Sequence, residues 1–268
     1  MHISHTICPT SHIAPSATVA EPCHIGTGAI LEANVIVEKN VHLGAASFIG
    51  RGSVIHENAK VGAKAAIGEG ITIGVGAEIL MGSVVKSSVP PNAIVEGNPA
   101  NIIGYTTTLN HLNYKTLSDS GDLKDRKTTS VRGVTLHTFP LIKDLRGDLS
   151  FGEFGKNIPF IPKRYFLVFG VPNSEVRGEH AHRKCQQFLV CTSGSCSVVV
   201  DDGICREDIV LDQPNLGLFI PPMVWGIQYR YAPDTVLLVF ASEFYHSEDY
   251  IRDYRKFLGE IQETSRNV

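Results

Sequence analysis

Along the first third of the chain, hydrophobic positions recur with a period of six. From Ile7 onward every sixth residue is a branched aliphatic: Ile13, Val19, Ile25, Leu31, Val37, Leu43, Ile49, Ile55, Val61, Ile67, Ile73, Ile79 and Val85. Glycine often follows directly, as at Gly26, Gly44, Gly50, Gly62, Gly68 and Gly74. Four places after the aliphatic the residue is usually small, as at Ala17, Ala29, Ser47, Ser53, Ala59, Ala65, Ala77 and Ser83. Amphipathic helices repeat at about 3.6 residues and exposed strands at about 2, so neither accounts for the pattern. A hexapeptide repeat instead stacks short strands into a parallel β-helix, with aliphatics filling the core and small residues letting the chain turn at each corner. His24 and His42 then lie one coil apart and should stack about 4.8 Å from each other. His56 is expected on the same face, near its opposite end.

The pattern stops near Thr106. Residues 106–132 are polar, with Ser118-Asp119-Ser120-Gly121-Asp122 and Lys124-Asp125-Arg126-Lys127, and read as a connector with one helical turn around His111 to Leu117. Beyond it, short β-rich runs alternate with turn signals: Arg164 to Phe169, Phe188 to Cys191, Cys196 to Val200, Gly217 to Ile220 and Thr235 to Phe240. Asp202-Gly203 marks a hairpin. Many short strands with turns predict a sandwich or jelly-roll barrel. Glu248 to Gln262 reads as a terminal helix capped by Ser247, with Tyr250, Ile251, Tyr254 and Leu258 on its packed face. The chain is thus expected to be all-β apart from that helix, with a β-helix over 1–105, a connector over 106–132 and a barrel over 133–268.

Composition narrows the function classes. Lys+Arg 24 against Asp+Glu 27 is nearly balanced and implies no nucleic-acid partner. No apolar run is long enough to cross a bilayer. Cys8, Cys23, Cys185, Cys191, Cys196 and Cys205 show neither a CxxC pair nor zinc spacing, and no signal peptide is evident, so a cytoplasmic location with reduced thiols is expected.

The candidate chemistry lies in Arg177-Gly178-Glu179-His180-Ala181-His182-Arg183-Lys184-Cys185-Gln186-Gln187. Residues i and i+2 of a strand share a face, so His180 and His182 should both look into the barrel, followed by Lys184 and Gln186. The segment resembles the first cupin motif, but Gln186 and Gln187 stand where a metal cupin has a glutamate. The later stretch Pro221-Pro222-Met223-Val224-Trp225-Gly226-Ile227-Gln228 lacks the further histidine. Two imidazoles alone make a poor metal site, so no metal is expected. Paired imidazoles suit proton transfer near neutrality.

Two family resemblances extend this reading. The hexads, together with the tail from Gly82-Ser83-Val84-Val85 to Gly97-Asn98-Pro99-Ala100, resemble the left-handed β-helix of hexapeptide acyltransferases. This implies a trimer that holds acetyl-CoA as co-substrate along the edge between subunits, near Gly74, Gly76, Lys86 and Asn98. The long loop that interrupts the hexads of sugar N-acetyltransferases is missing, which leaves His56 on the coil as the candidate base.

The motifs around His180 and His182, with Arg146-Gly147-Asp148-Leu149, Lys163-Arg164-Tyr165, Asp201-Asp202-Gly203 and Tyr250-Ile251-Arg252-Asp253-Tyr254, resemble the dTDP-4-keto-6-deoxyhexose 3,4-ketoisomerases. That resemblance implies metal-free proton transfer on a dTDP-linked deoxysugar, with His182 as principal base, His180 as its partner in an order open to reversal, and Tyr165 as an assisting acid. It also implies Arg146, Arg164, Arg177 and Lys184 as substrate-binding residues. Relatives carry a larger polar residue where this chain has Gly226, so the resemblance does not assign the configuration at C4. Single-domain ketoisomerases pair as dimers, and two trimers joined through barrel pairs give a hexamer. The competing readings are a non-catalytic trimerising solenoid, a cupin that only binds a sugar nucleotide, and a metal-dependent cupin oxygenase.

Overall fold

The aliphatic column of the repeat is the core of a β-solenoid of about five turns. Ile25, Leu31, Leu43, Ile49, Ile55, Val61, Ile67 and Ile73 are all completely buried. Each is the second residue of a two-residue strand that pairs in parallel with the strand one coil away, as His24–Ile25 does with His42–Leu43 and that in turn with Lys60–Val61. Three sheets of this kind form the walls. The computed structural model describes residues 6–106, 108–109 and 126–266, and the chain divides into two units, Met1–Thr106 and Thr107–Val268.

Two backbone constraints explain the rest of the hexad. A Cβ on Gly62 would lie 2.5 Å from the backbone nitrogen of Met81 in the next coil, so the residue after the aliphatic often has no room for a side chain. The residue three places after the aliphatic takes a left-handed conformation from Gly28, Asn34 and Asn40 through to Gly76 and Gly82. Glycine and asparagine dominate there because they tolerate positive φ; Ala46 and Lys64 adopt it as well. The small residue that follows is buried, as at Ala29, Ser47, Ser53, Ala59 and Ala77. A hairpin of Ala93–Gly97 and Ala100–Tyr105 closes the last coil against Glu78–Ile79.

The second unit is a cupin-like pair of six-stranded sheets, mostly antiparallel. One runs in the order Thr108–Leu109, Arg206–Leu211, Cys196–Asp201, Trp225–Tyr229, Arg177–His182, Tyr250–Ile251. The other runs Arg126–Thr128, Thr135–Thr138, Leu216–Ile220, Gln187–Ser193, Val236–Ala241, Arg164–Phe169. Leu189, Val198, Ile209, Leu218, Leu237 and Val239 fill the space between them. All five barrel strands expected from the sequence are present, within two residues at their ends. Asp202-Gly203 turns the Cys196–Asp201 and Arg206–Leu211 hairpin, with Gly203 at φ 84°.

Two expectations change. Within the stretch read as connector, Thr108–Leu109 and Arg126–Thr128 are strands paired to Arg206–Leu211 and Thr135–Thr138; their polar composition hid the pairing. The turn expected at 111–117 lies outside the described residues. The terminal helix is Tyr254–Arg266, capped by Asp253, whose Oδ1 accepts the Lys256 N–H at 2.7 Å, and not by Ser247. Its buried face is Tyr254, Phe257 and Ile261, seated against Trp225. Tyr250–Ile251 is instead a short strand on the edge of the histidine-bearing sheet. Among the described residues no helix is long and apolar enough to cross a membrane.

Candidate functional site

The Arg177–His182 strand runs between Trp225–Tyr229 and Tyr250–Ile251, which puts Gly226 opposite His180 and Tyr250 opposite His182. Opposed residues in a sheet share a face, so Gly226, His180, His182 and Tyr250 form one inward-facing row. A cleft over this row is lined by His180, His182, Cys185, Gln187, Gly226 and Gln228, with apolar walls from Ile220 and Val224. The imidazoles meet edge to face with 4.9 Å between centroids.

The strand ends at His182. Asp249 accepts the backbone N–H groups of Lys184 (2.7 Å) and Cys185 (3.3 Å), which bends the chain. The bend shifts the side-chain parity. Lys184 is exposed, Gln186 is half-buried, and Cys185 with Gln187 takes the cavity positions expected for them. Arg183 locks the arrangement through a two-pronged pair with Glu260 (2.9 and 2.6 Å) and a bond to the Tyr250 carbonyl (3.2 Å).

The same carboxylate sets the protonation of His182. Asp249 Oδ2 lies 2.8 Å from His182 Nδ1. Burial opposes its charge, but the bonds from His182, Lys184 and Cys185 hold its carboxyl below the ordinary value. A carboxylate only accepts, so Nδ1 carries the hydrogen and the Nε2 lone pair faces the cleft, where the Gln187 amide donates to it at 3.1 Å. Burial, helped by the neighbouring His180, pushes His182 down to about 4 against the pull of Asp249. His180 donates from Nδ1 to the Gly178 carbonyl at 2.8 Å. Burial lowers it too, aided by Arg252 and Arg164. The resting site therefore holds two neutral imidazoles with their Nε2 atoms basic.

His182, Cys185 and Asp249 offer donor atoms within 4.8 Å of one another. They do not fit a divalent ion: both Asp249 oxygens accept N–H bonds and His182 Nδ1 carries a proton. Gln187, a neutral amide, stands on the cleft wall.

The other expected residues divide. Arg164 joins the site: its Nε donates to the Glu243 carbonyl (3.0 Å) and its Nη2 to the Tyr250 hydroxyl (3.2 Å). Tyr165, its neighbour on the strand, points the opposite way and is 67% exposed, so it does not reach the histidines. Tyr250 is the phenol beside them, with 4.3 Å between its ring centroid and that of His182 and 4.9 Å to that of His180. Arg252 lies over the Tyr250 ring at 4.3 Å. Arg177 is exposed at the start of the histidine strand. Arg146 is exposed and paired with Asp144 at 2.7 Å, and is not among the residues that line the cleft. Asp249, Tyr250 and Arg252 have no site role in the sequence reading, and Gln187 enters it only as a residue standing in place of a glutamate; Tyr250 is read there on the packed face of the terminal helix and within a family motif.

On the solenoid, His24 and His42 stack with 4.4 Å between centroids, close to the expected spacing. His56 follows Val54–Ile55, which belongs to a different sheet, so it does not share their face. Its Nδ1 lies 3.2 Å from Glu38 Oε1, one coil back, and Glu38 Oε2 accepts the Glu57 N–H at 3.0 Å. Gly74 packs against the backbone of Pro91 and Gly76 against the side chain of Asn92, whereas Lys86 and Asn98 are exposed.

Comparison with known proteins covers the second unit. The family described as FdtA: WxcM-like, C-terminal, matches residues 132–262. The TDP-4-oxo-6-deoxy-alpha-D-glucose-3,4-oxoisomerase of Aneurinibacillus thermoaerophilus is 45% identical over 119 residues, 44% of this chain and 86% of that protein. Among solved structures, the sugar 3,4-ketoisomerase QdtA from Thermoanaerobacterium thermosaccharolyticum, in complex with TDP, aligns at 35% identity and TM-score 0.48 over 50% of this chain and 97% of its own. The WlaRB TDP-quinovose 3,4-ketoisomerase from Campylobacter jejuni aligns at 36% identity and TM-score 0.47 over 48% of this chain and 99% of its own. On the identity and coverage of the Aneurinibacillus relative, the chain belongs through its second unit to the FdtA, WxcM-like C-terminal family of sugar 3,4-ketoisomerases.

Proposed function

We propose that the second unit isomerises dTDP-4-keto-6-deoxyglucose to its 3-keto form by proton transfer at His182. The His182–Asp249 pair carries this reading: it holds a neutral imidazole with its lone pair toward an apolar-walled cleft. The C3 proton is acidic because the C4 carbonyl is adjacent. His182 Nε2 takes that proton, the C–H electrons form a C3–C4 double bond, and the carbonyl oxygen becomes the enediolate anion. Asp249 stabilises the imidazolium so formed. Arg164 supplies positive charge beside the ring row, and its planar fork suits an anionic sugar nucleotide. A proton is returned at C4 and the C3 oxygen becomes the carbonyl. None of these steps uses a metal. Incubation with the 4-keto sugar in heavy water tests the reading by NMR. Loss of the C3 proton signal and appearance of the 3-keto isomer are expected, and the persistence of the signal with no isomer overturns it.

The solenoid supports a second activity, acetyl transfer from acetyl-CoA to a 3-amino-3,6-dideoxyhexose carried on dTDP. The observation that favours it over a bare scaffold is the Glu38–His56 pair, which fixes an imidazole on the coil surface. A separate aminotransferase would install the nitrogen between the two steps. The assembly proposed for such a protein is a cytoplasmic trimer or hexamer, which light scattering measures directly.

A further inference from the structure

The isomerase reading needs a group that hands a proton to C4. Among the three rings of the row, the two histidines begin without a proton to spare. His182 spends its N–H on Asp249 and His180 spends its own on the Gly178 carbonyl. Tyr250 differs. Its oxygen accepts from Arg164 Nη2 at 3.2 Å, a bond that uses a phenol lone pair and leaves the phenol hydrogen uncommitted. Its backbone register opposite His182 puts it on the same inward face, in contact with both imidazoles. Arg252 lies over the ring and Arg164 bonds its hydroxyl, and the two contacts orient the phenol.

We propose that Tyr250 is the catalytic acid that protonates C4, a role that rests on the ketoisomerase reading above. The steps balance without an outside reagent. His182 takes the C3 proton and the enediolate forms. The C3 hydroxyl passes its proton to the anionic C4 oxygen, which moves the negative charge to the C3 oxygen. As the C3 carbonyl forms, the C3–C4 double-bond electrons take the Tyr250 proton onto C4. The phenolate left behind recovers a proton from the His182 imidazolium packed against it, and both groups return to their starting states.

Tyr250→Phe removes one oxygen and keeps the ring contacts, so it separates the two halves of the reaction. In heavy water the variant should still wash deuterium into C3 within several-fold of the parent rate, with an unchanged KM for dTDP-4-keto-6-deoxyglucose. Formation of the 3-keto product should fall by about 10²- to 10⁴-fold, the range typical of a lost acid. Wild-type product formation in the variant overturns the assignment. So does a parallel loss of washout and product, which marks a structural role, with circular dichroism reporting whether the fold survived. If the parent protein itself shows neither washout nor product, the ketoisomerase reading falls and this one with it, a result distinct from a failure of Tyr250 alone.

Discussion

His182 and Asp249, 67 residues apart in the chain, are joined by a 2.8 Å hydrogen bond in which the imidazole Nδ1–H donates to the carboxylate. The same carboxylate accepts the N–H groups of Lys184 and Cys185, so it sets the tautomer of the His182 imidazole and makes the turn that brings Gln187 to the cleft. Asp249→Asn separates charge from shape. Its amide can donate to Nδ1, which drives the ring hydrogen to Nε2 and removes the lone pair from the cleft. We expect kcat to fall by about 10²- to 10⁴-fold with the fold retained. Nitrogen-detected NMR of the His182 ring checks the tautomer; an unchanged tautomer with an unchanged rate would sink the role given to Asp249.

Burial of His182 also predicts how stability depends on pH. Its folded value is about 4, below the ordinary 6.5, so between those values the unfolded chain binds a proton that the folded site refuses. Stability therefore rises with pH through that window. It is lost as pH falls from about 6.5 toward 4, by roughly 3 kcal/mol at full effect. Urea titrations at stepped pH measure this, and His182→Asn should flatten the slope. The acid limb of kcat/KM should likewise fall below the titration of a free imidazole.

The solenoid was legible because its signal is local: one aliphatic in six, with Gly26, Gly44 and Gly62 marking where adjacent coils touch. The barrel strands were legible for the same reason. The site was only half legible. His180 and His182 stand out as an alternating pair, but the parity that places Gln187 rather than Lys184 or Gln186 in the cleft depends on a turn held by Asp249, far along the chain. Tyr250 read as helical because Tyr250, Ile251, Tyr254 and Leu258 share helical spacing. Arg183 and the pairing with His182 hold that segment as an edge strand instead. Tyr165 came from the family resemblance as an assisting acid, yet it neighbours Arg164 on one strand, and adjacent residues on a strand face opposite ways.

Gly226 gives a test of the cleft itself. A Cβ there meets only Ile220 Cδ1, at 4.0 Å, so the backbone admits a side chain. Beyond Cβ that side chain enters the cleft beside His180. Gly226→Leu should unfold at the parent temperature while losing about 10- to 200-fold in kcat/KM through displaced substrate. Unimpaired turnover would mean that the sugar does not occupy this part of the cleft.

Close approach of the coils predicts unequal costs for two similar changes. Gly62→Ala places a methyl 2.5 Å from the Met81 nitrogen, and the coil must spread to admit it. A loss of about 1–3 kcal/mol is expected. Gly104→Ala adds the same methyl into open space and should stay within about 0.5 kcal/mol. Urea midpoints of the two variants give the comparison directly.

Glu38 and His56 decide between a working transferase and a scaffold. An amine attacking a thioester must shed a proton as the new bond forms, and a fixed imidazole is suited to take it. Glu38 occupies His56 Nδ1 at 3.2 Å and is itself held by the Glu57 N–H at 3.0 Å, which directs Nε2 as the basic atom. With acetyl-CoA and a dTDP-linked 3-amino-3,6-dideoxyhexose, thiol release should depend on both residues. His56→Asn should lower its rate by at least about 10²-fold. Glu38→Gln, which keeps the shape but removes the charge, should lower kcat by a smaller factor and leave the KM for acetyl-CoA unchanged. The isomerase reaction serves as the internal control, since neither residue is among those that line the second unit's cleft. Thiol release that is absent from the parent protein, with isomerisation intact, assigns the solenoid a purely structural role.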